Sequence, residues 1–294
     1  MTAAFEAERA AVGDALDEVC DRYFRSLPPR VAEAAAYGLK GPGKRLRPLL
    51  VVLGYRACGG RAEPTLLSCS TEVIHCYSLI HDDLPCMDDD DMRRGRPTVH
   101  RVYGSSAAIL AGVALIPIAF MVIRDACRLM QLAERVEPRI RRTLARAAGA
   151  AGMIGGQLSD LLGEGISLSL AERERMHSAK TGALIQASLE IGGIAANADQ
   201  AQMSGLAEFG SMIGLAFQIM DDVLDVTSTS KTLGKTAGRD EALRKSTYPA
   251  LLGIDGARDR AGVLIKRGLD ALTECSLLTP ELSQVANFMV NRTS

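Results

Sequence analysis

The chain has 294 residues, 47% of them hydrophobic, and a formal net charge of −1. That apolar content excludes a disordered polymer and suffices for a sizeable core. The balanced charge removes any electrostatic reason to expect nucleic acid or an anionic membrane surface as a partner.

The N-terminal MTAAFEAERA has neither the basic start nor the apolar centre of a signal peptide. Seven cysteines, odd in number and without a C-x-x-C pair, fit a reduced, cytoplasmic setting. Helix-favouring alanine, leucine and arginine are abundant, and alternating β-branched runs are scarce, so helices are expected throughout. From Leu66, the residues Cys69, Val73, Tyr77 and Ile80 recur at helical spacing and predict a helix running into Asp82, which Pro85 then disturbs.

Asp82, Asp83, Asp88, Asp89, Asp90 and Asp91 fall within ten residues, and Arg93, Arg94 and Arg96 follow at once. Crowded carboxylates resist burial unless something positive neutralises them. Mg²⁺ takes oxygen ligands and bridges to phosphates, and guanidinium groups fork onto the same anions. A solvated charged loop is the other reading of such a run. Asp82 and Asp88, six apart, would splay around an unbroken helix; spacing alone leaves open whether Pro85 lets Asp88 return towards Asp82.

Ala107 to Ile123 is seventeen residues without a charge, close to the roughly 20 that span a bilayer. Short and solitary, it is expected to be a fully buried helix instead. Another helix is expected from Leu144 to Leu162, interrupted at Gly155 and Gly156, and a third from Leu206 through Phe209, Ile213, Phe217 and Met220 to Leu224. Within QIMDDVLD, Asp221 and Asp222 lie four and three residues before Asp225 on a helix, so all three can face one way despite their repulsion. Thr227 to Gly238 reads as a loop. GPGKRLRP, AKTG and LGKTAGRD set lysine beside glycine, where backbone approaches phosphate closely; none is a P-loop. With no linker or repeat, residues 1–294 are expected to form one all-α domain.

Taken together, GKRLRP (43–48), IHCYSLIHDDLPCMDDDDMRRGRPT (74–98), GGQLSDL (155–161), KTGALI (180–185) and FQIMDDVLDVT (217–227) followed by LGKTAGRD (233–240) resemble the trans-polyprenyl diphosphate synthase family. They stand in the family's order, and the DD-x-x-x-x-D form resembles its bacterial and plastid short-chain branch. The resemblance implies a helical bundle of the isoprenoid synthase kind, enclosing a deep apolar pocket, with the two acid motifs facing each other across its mouth. It implies three Mg²⁺ ions on Asp82, Asp88 and Asp221, supported by Asp83, Asp222 and Asp225. Arg93, Lys180, Thr181, Gln218 and Lys235 would hold an allylic diphosphate (dimethylallyl, geranyl or farnesyl), and Lys44, Arg47, His75 and Arg94 isopentenyl diphosphate. A homodimer through Ala107 to Ile123 and no membrane span are further expectations.

Some residues depart from the pattern. Val113 stands where many relatives carry aspartate, Arg239 replaces a usual lysine, and Thr229 and Ser230 alter the usual loop. Tyr77, five before Asp82, and Ser78, four before it, are the chain-length candidates. In similar enzymes an aromatic at Tyr77 implies a farnesyl product and a small residue a geranylgeranyl one; helix geometry alone does not aim the ring. Farnesyl diphosphate synthase is therefore expected ahead of geranylgeranyl diphosphate synthase. A class I terpene cyclase and a non-catalytic partner subunit are the readings from other classes.

Overall fold

The computed structural model describes residues 3–163, 165–227 and 247–291. It is all-α. Helices α1 (Ala3–Tyr23), α2 (Pro29–Leu39), α3 (Leu46–Ala57), α4 (Thr65–Asp82), α5 (Val99–Tyr103), α6 (Ser105–Leu129) and α7 (Val136–Ala148) make up the first half. Then come α8 (Met153–Leu162), α9 (Leu170–His177), α10 (Ala183–Ala195), α11 (Gln200–Thr227), α12 (Tyr248–Glu274) and α13 (Pro280–Asn291). Among the described residues the strands are a two-residue pair, β1 (Met92–Arg93) and β2 (Arg96–Pro97).

The chain forms two compact units, one of Met1–Val52 and Arg61–Arg141, the other of Leu53–Gly60 and Arg142–Ser294. In the first, α4 is packed on α6 and flanked by α1 and α2. Its predicted apolar positions Cys69, Val73, Tyr77 and Ile80 are all buried, because α4 is covered on nearly every side. In the second, α11 lies between α12 and α10 and buries Leu206, Phe209, Ile213 and Met220. The predicted helix over 206–224 is thus present, extended at both ends. The loop expected over 227–238 begins with the last residue of α11, and its remainder lies outside the described residues.

Two expectations are corrected. Helix α6, packed on α4 and α2, is not fully buried: Ala108, Ala111, Leu115, Ala119 and Val122 are buried, while Ile109, Leu110, Val113 and Met121 are exposed. An apolar run without polar residues hides which face is inward. The break between α7 and α8 falls at Gly149–Gly152, where the Gly152 N–H donates to the Gly149 carbonyl (3.0 Å). Gly155 and Gly156 lie inside α8 instead. Gly156 is small because α8 crosses the backbone of Lys180 there; a Cβ would stand 2.2 Å from the Lys180 nitrogen.

Candidate active site

The first acid motif starts where α4 ends. The Asp88 N–H donates to the Asp82 carbonyl (2.8 Å) and the Asp90 N–H to that of Asp83 (3.2 Å). The turn around Pro85 therefore folds Asp88 back to the helix end, resolving the six-residue spacing. Beyond it, β1 pairs with β2 through Arg93 opposite Arg96. The two linking residues, Arg94 (φ 54°) and Gly95 (φ 76°), both have positive φ, the tight hairpin geometry that matches strand twist.

That hairpin sends successive arginines to different partners. Arg93 donates from Nε (2.9 Å) and Nη2 (2.5 Å) to Asp83 Oδ1, and from Nη2 to Asp90 Oδ2 (3.2 Å). Asp83 is 3% exposed, whereas Asp82 and Asp88 are only partly buried. Burial lifts the Asp83 carboxyl above its ordinary range despite Arg93. Arg94 Nη1 donates to the Pro42 carbonyl (2.9 Å), and its Nη2 lies 3.4 Å from His75 Nε2. Burial, with the charges of Arg47 and Arg94, pushes the His75 imidazole well below its ordinary range, so the ring is neutral near pH 7.

Within GKRLRP, sequence reading picked Lys44 and Arg47 and passed over Arg45. Arg45 donates to Glu72 Oε1 (2.6 Å) and to the carbonyls of Leu39 (3.1 Å) and Gly41 (2.7 Å). It is the residue that shapes the loop carrying Lys44, while Lys44 and Arg47 remain partly exposed.

In the second unit, a reciprocal Ser169–Glu172 cap starts α9 and sets Arg173 in its first turn. A π-helical turn, Ser178–Gly182, then joins α9 to α10; such extra-residue turns concentrate at functional sites. It presents Lys180 and Thr181. Lys180 Nζ pairs with Asp160 Oδ2 (2.6 Å), and Thr181 Oγ1 donates to Gln218 Oε1 (3.0 Å). Asp160 was overlooked even though it lies in the GGQLSDL motif.

On α11 the acid motif divides as the first one does. Asp221 is partly exposed and Asp222 only 1% exposed. Asp222 accepts from Arg173 Nη2 (2.7 Å), from the Tyr248 backbone N–H (3.1 Å) and from Gln218 Nε2 (3.4 Å). Asp225 is buried. Lys235 lies outside the described residues. Arg173, too, was missed, and no local pattern marks it.

Among the described residues, no three His, Cys, Asp or Glu side chains gather closely enough to hold a metal by themselves. Mg²⁺ is ordinarily held by one or two carboxylates plus waters and substrate phosphates. Partly exposed, oxygen-only donors at Asp82, Asp88 and Asp221 fit that ion.

An all-helical protein with two Asp-Asp motifs, each tethered by an arginine and accompanied by lysine- and arginine-bearing turns, belongs to the diphosphate-handling class. The polyprenyl synthetase family model matches residues 28–274. The chain is 44% identical over 253 residues to the farnesyl diphosphate synthase of Geobacillus stearothermophilus, covering 84% of each. It is 42% identical to the chloroplastic geranylgeranyl pyrophosphate synthase of Catharanthus roseus, over 90% of this chain and 74% of the other. Among solved structures, a geranyltransferase from Helicobacter pylori, complexed with magnesium and isoprenyl diphosphate, superposes with TM-score 0.83 at 30% identity over 99% and 97% of the two chains. This chain belongs to the polyprenyl synthetase family and is a short-chain trans-prenyltransferase.

Proposed function

We propose that the enzyme condenses isopentenyl diphosphate with an allylic diphosphate in a Mg²⁺-dependent reaction and delivers chiefly farnesyl diphosphate. The observation that carries the reading is the split within each acid motif: one carboxylate is buried on an arginine and its neighbour is partly exposed. In this reading Asp82, Asp88 and Asp221 hold three Mg²⁺ ions, with Asp83, Asp222 and Asp225 in support. When bound, the ions neutralise the diphosphate and stabilise its charge as it leaves.

Arg93, Lys180, Thr181, Gln218 and Lys235 orient the allylic diphosphate. The ion pairs of Lys180 with Asp160 and of Arg93 with Asp83 keep those cations in place beforehand. Lys44, Arg47, His75 and Arg94 seat isopentenyl diphosphate; a neutral His75 serves there as a hydrogen-bonding group. The allylic C–O bond breaks, the isopentenyl double bond attacks the resulting cation, and a proton is lost from the new chain. Positioning and charge stabilisation are the catalytic contributions.

We also propose a cytoplasmic homodimer without a membrane span. The exposed stripe of Ile109, Leu110, Val113 and Met121 on α6 supports self-association. By length and composition α6 and α11 could each cross a bilayer, but 44% and 56% of their apolar windows are buried within the fold.

Incubation with labelled isopentenyl diphosphate and each allylic primer, with and without EDTA, tests the reading. Metal-dependent elongation ending at fifteen carbons is expected. Twenty-carbon product would favour the geranylgeranyl alternative, and conversion of farnesyl diphosphate alone a cyclase. No elongation of any primer would point to a partner subunit. A monomeric mass in solution would remove the dimer.

A further inference from the structure

Asp222 is more deeply enclosed than a metal ligand needs to be, and its partners come from three helices. Its Oδ2 accepts from Arg173 on α9 and from the Tyr248 N–H that opens α12, and its Oδ1 accepts from Gln218 one turn earlier on α11. Arg173 is itself 2% exposed. Its guanidinium lies 5.7 Å from the Tyr248 ring centre, and His177 meets that ring at 5.5 Å. The neighbouring Glu174 accepts two bonds from Arg260 of α12 (2.8 and 3.1 Å). Helix α9 is thereby fastened to both α11 and α12 through Arg173, Glu174 and His177.

Two consequences follow for the acid motif. A hydrated Mg²⁺ keeps several waters, and a carboxylate 1% exposed and already bonded to a guanidinium has no open side for it. Asp221, the next residue back, is rotated about 100° around the same helix, so whatever fixes Asp222 also fixes the direction of Asp221. We propose that Arg173 is a positioning residue for the reaction: through its ion pair with Asp222 it sets the roll of α11 and so aims Asp221, while Asp222 binds no metal. This inference rests on the prenyltransferase reading and assigns a task to a residue outside the family motifs quoted above.

The test uses the full chain and the variants Arg173→Met, Arg173→Lys, Asp222→Asn, Asp221→Asn and the double variant Arg173→Met/Asp222→Asn. Steady-state kinetics are measured across Mg²⁺ concentrations, and Mn²⁺ binding in the presence of inorganic pyrophosphate is followed by electron paramagnetic resonance. If Arg173 acts through Asp222, Arg173→Met and Asp222→Asn each lower kcat and metal affinity by roughly 10–100-fold, the usual size of such outer-shell effects. The double variant is then no worse than the poorer single one, the KM for isopentenyl diphosphate is unchanged, and Arg173→Lys recovers most of the loss. At saturating Mn²⁺ the number of bound ions falls only in Asp221→Asn.

Loss of one bound ion in Asp222→Asn at saturation would overturn the inference, as would losses that multiply in the double variant. Should Arg173→Met fail to fold, Arg173→Lys and Asp222→Asn still decide through the ion count and the KM-against-kcat split. If the unmodified protein elongates no primer, the functional reading fails separately, and the Mn²⁺ titration still tests the role of Asp222.

Discussion

Arg93 places two of its donors on a single oxygen of Asp83, Oδ1, while Asp82, one residue earlier, stays partly exposed. Adjacent aspartates therefore have different tasks. Asp82→Asn is expected to abolish most elongation while changing stability by under about 0.5 kcal/mol, as for surface sites. Asp83→Ala should destabilise the fold by about 1–3 kcal/mol, because a charged donor loses its acceptor; this is well below a fully buried pair, since the Arg93 side chain is 25% exposed. Urea unfolding set beside turnover separates the two, and equal stability losses would refute the division.

His75 gives a pH dependence with a definite sign. Its folded-state value is depressed by burial and by Arg47 and Arg94, whereas the unfolded ring titrates near about 6.5. Below that pH the unfolded chain takes up a proton that the folded chain does not. The stability due to neutral His75 is thus complete above about pH 6.5 and declines as pH falls towards the folded value, by at most about 1.4 kcal/mol per pH unit. His75→Gln should flatten this part of the profile. Urea unfolding at pH 7.5, 6.5 and 5.5 measures it; parallel profiles for the two proteins would rule the linkage out.

Gly156 and Gly262 are both helical, yet alanine should act on them in opposite directions. At Gly156 the new Cβ would stand 2.2 Å from the Lys180 nitrogen and 2.5 Å from its Cα. Backbone cannot yield as a side-chain tip does, so a loss of at least about 1–3 kcal/mol is expected, with Lys180 displaced and activity reduced. Gly262, in α12, has no atom within 4 Å of that position, and alanine there should stabilise by about 0.4–1 kcal/mol. Thermal melts of both variants provide the check.

These cases mark what sequence reveals and what it does not. The periodicity of α11 was legible because it buries a face whose spacing is fixed by 3.6 residues per turn, and that of α4 because its apolar residues recur at that spacing even though the helix is covered on nearly every side. The acids were legible because six aspartates together, or three on an apolar helix, are costly without a purpose. Which member of each pair turns inward was not legible, since that depends on Arg93 beyond a turn and on Arg173, 49 residues from Asp222. Gly155 and Gly156 read as a helix break because local propensity cannot register a crossing backbone from 24 residues further on. The exposed face of α6 was hidden by a run that is apolar all round.

Tyr77 is where helix geometry was silent and the structure adds a direction. The ring is 6% exposed and meets His81 edge-on at 5.7 Å, and His81 Nε2 lies 3.1 Å from the Ile109 carbonyl. Tyr77 therefore stands on the face of α4 turned towards α6, one helical turn beneath His81. Burial with Asp82 nearby pushes its hydroxyl up to about 12, so the ring remains neutral and acts by its bulk. Removing it in Tyr77→Ala should cost about 3–5 kcal/mol, as for other large buried aromatics, and should lengthen the product beyond that of the unmodified enzyme. Tyr77→Phe, which keeps the bulk, should leave product length unchanged. Chain-length analysis by mass spectrometry decides: the same product from a folded Tyr77→Ala enzyme would make this residue a core aromatic without influence on where elongation stops.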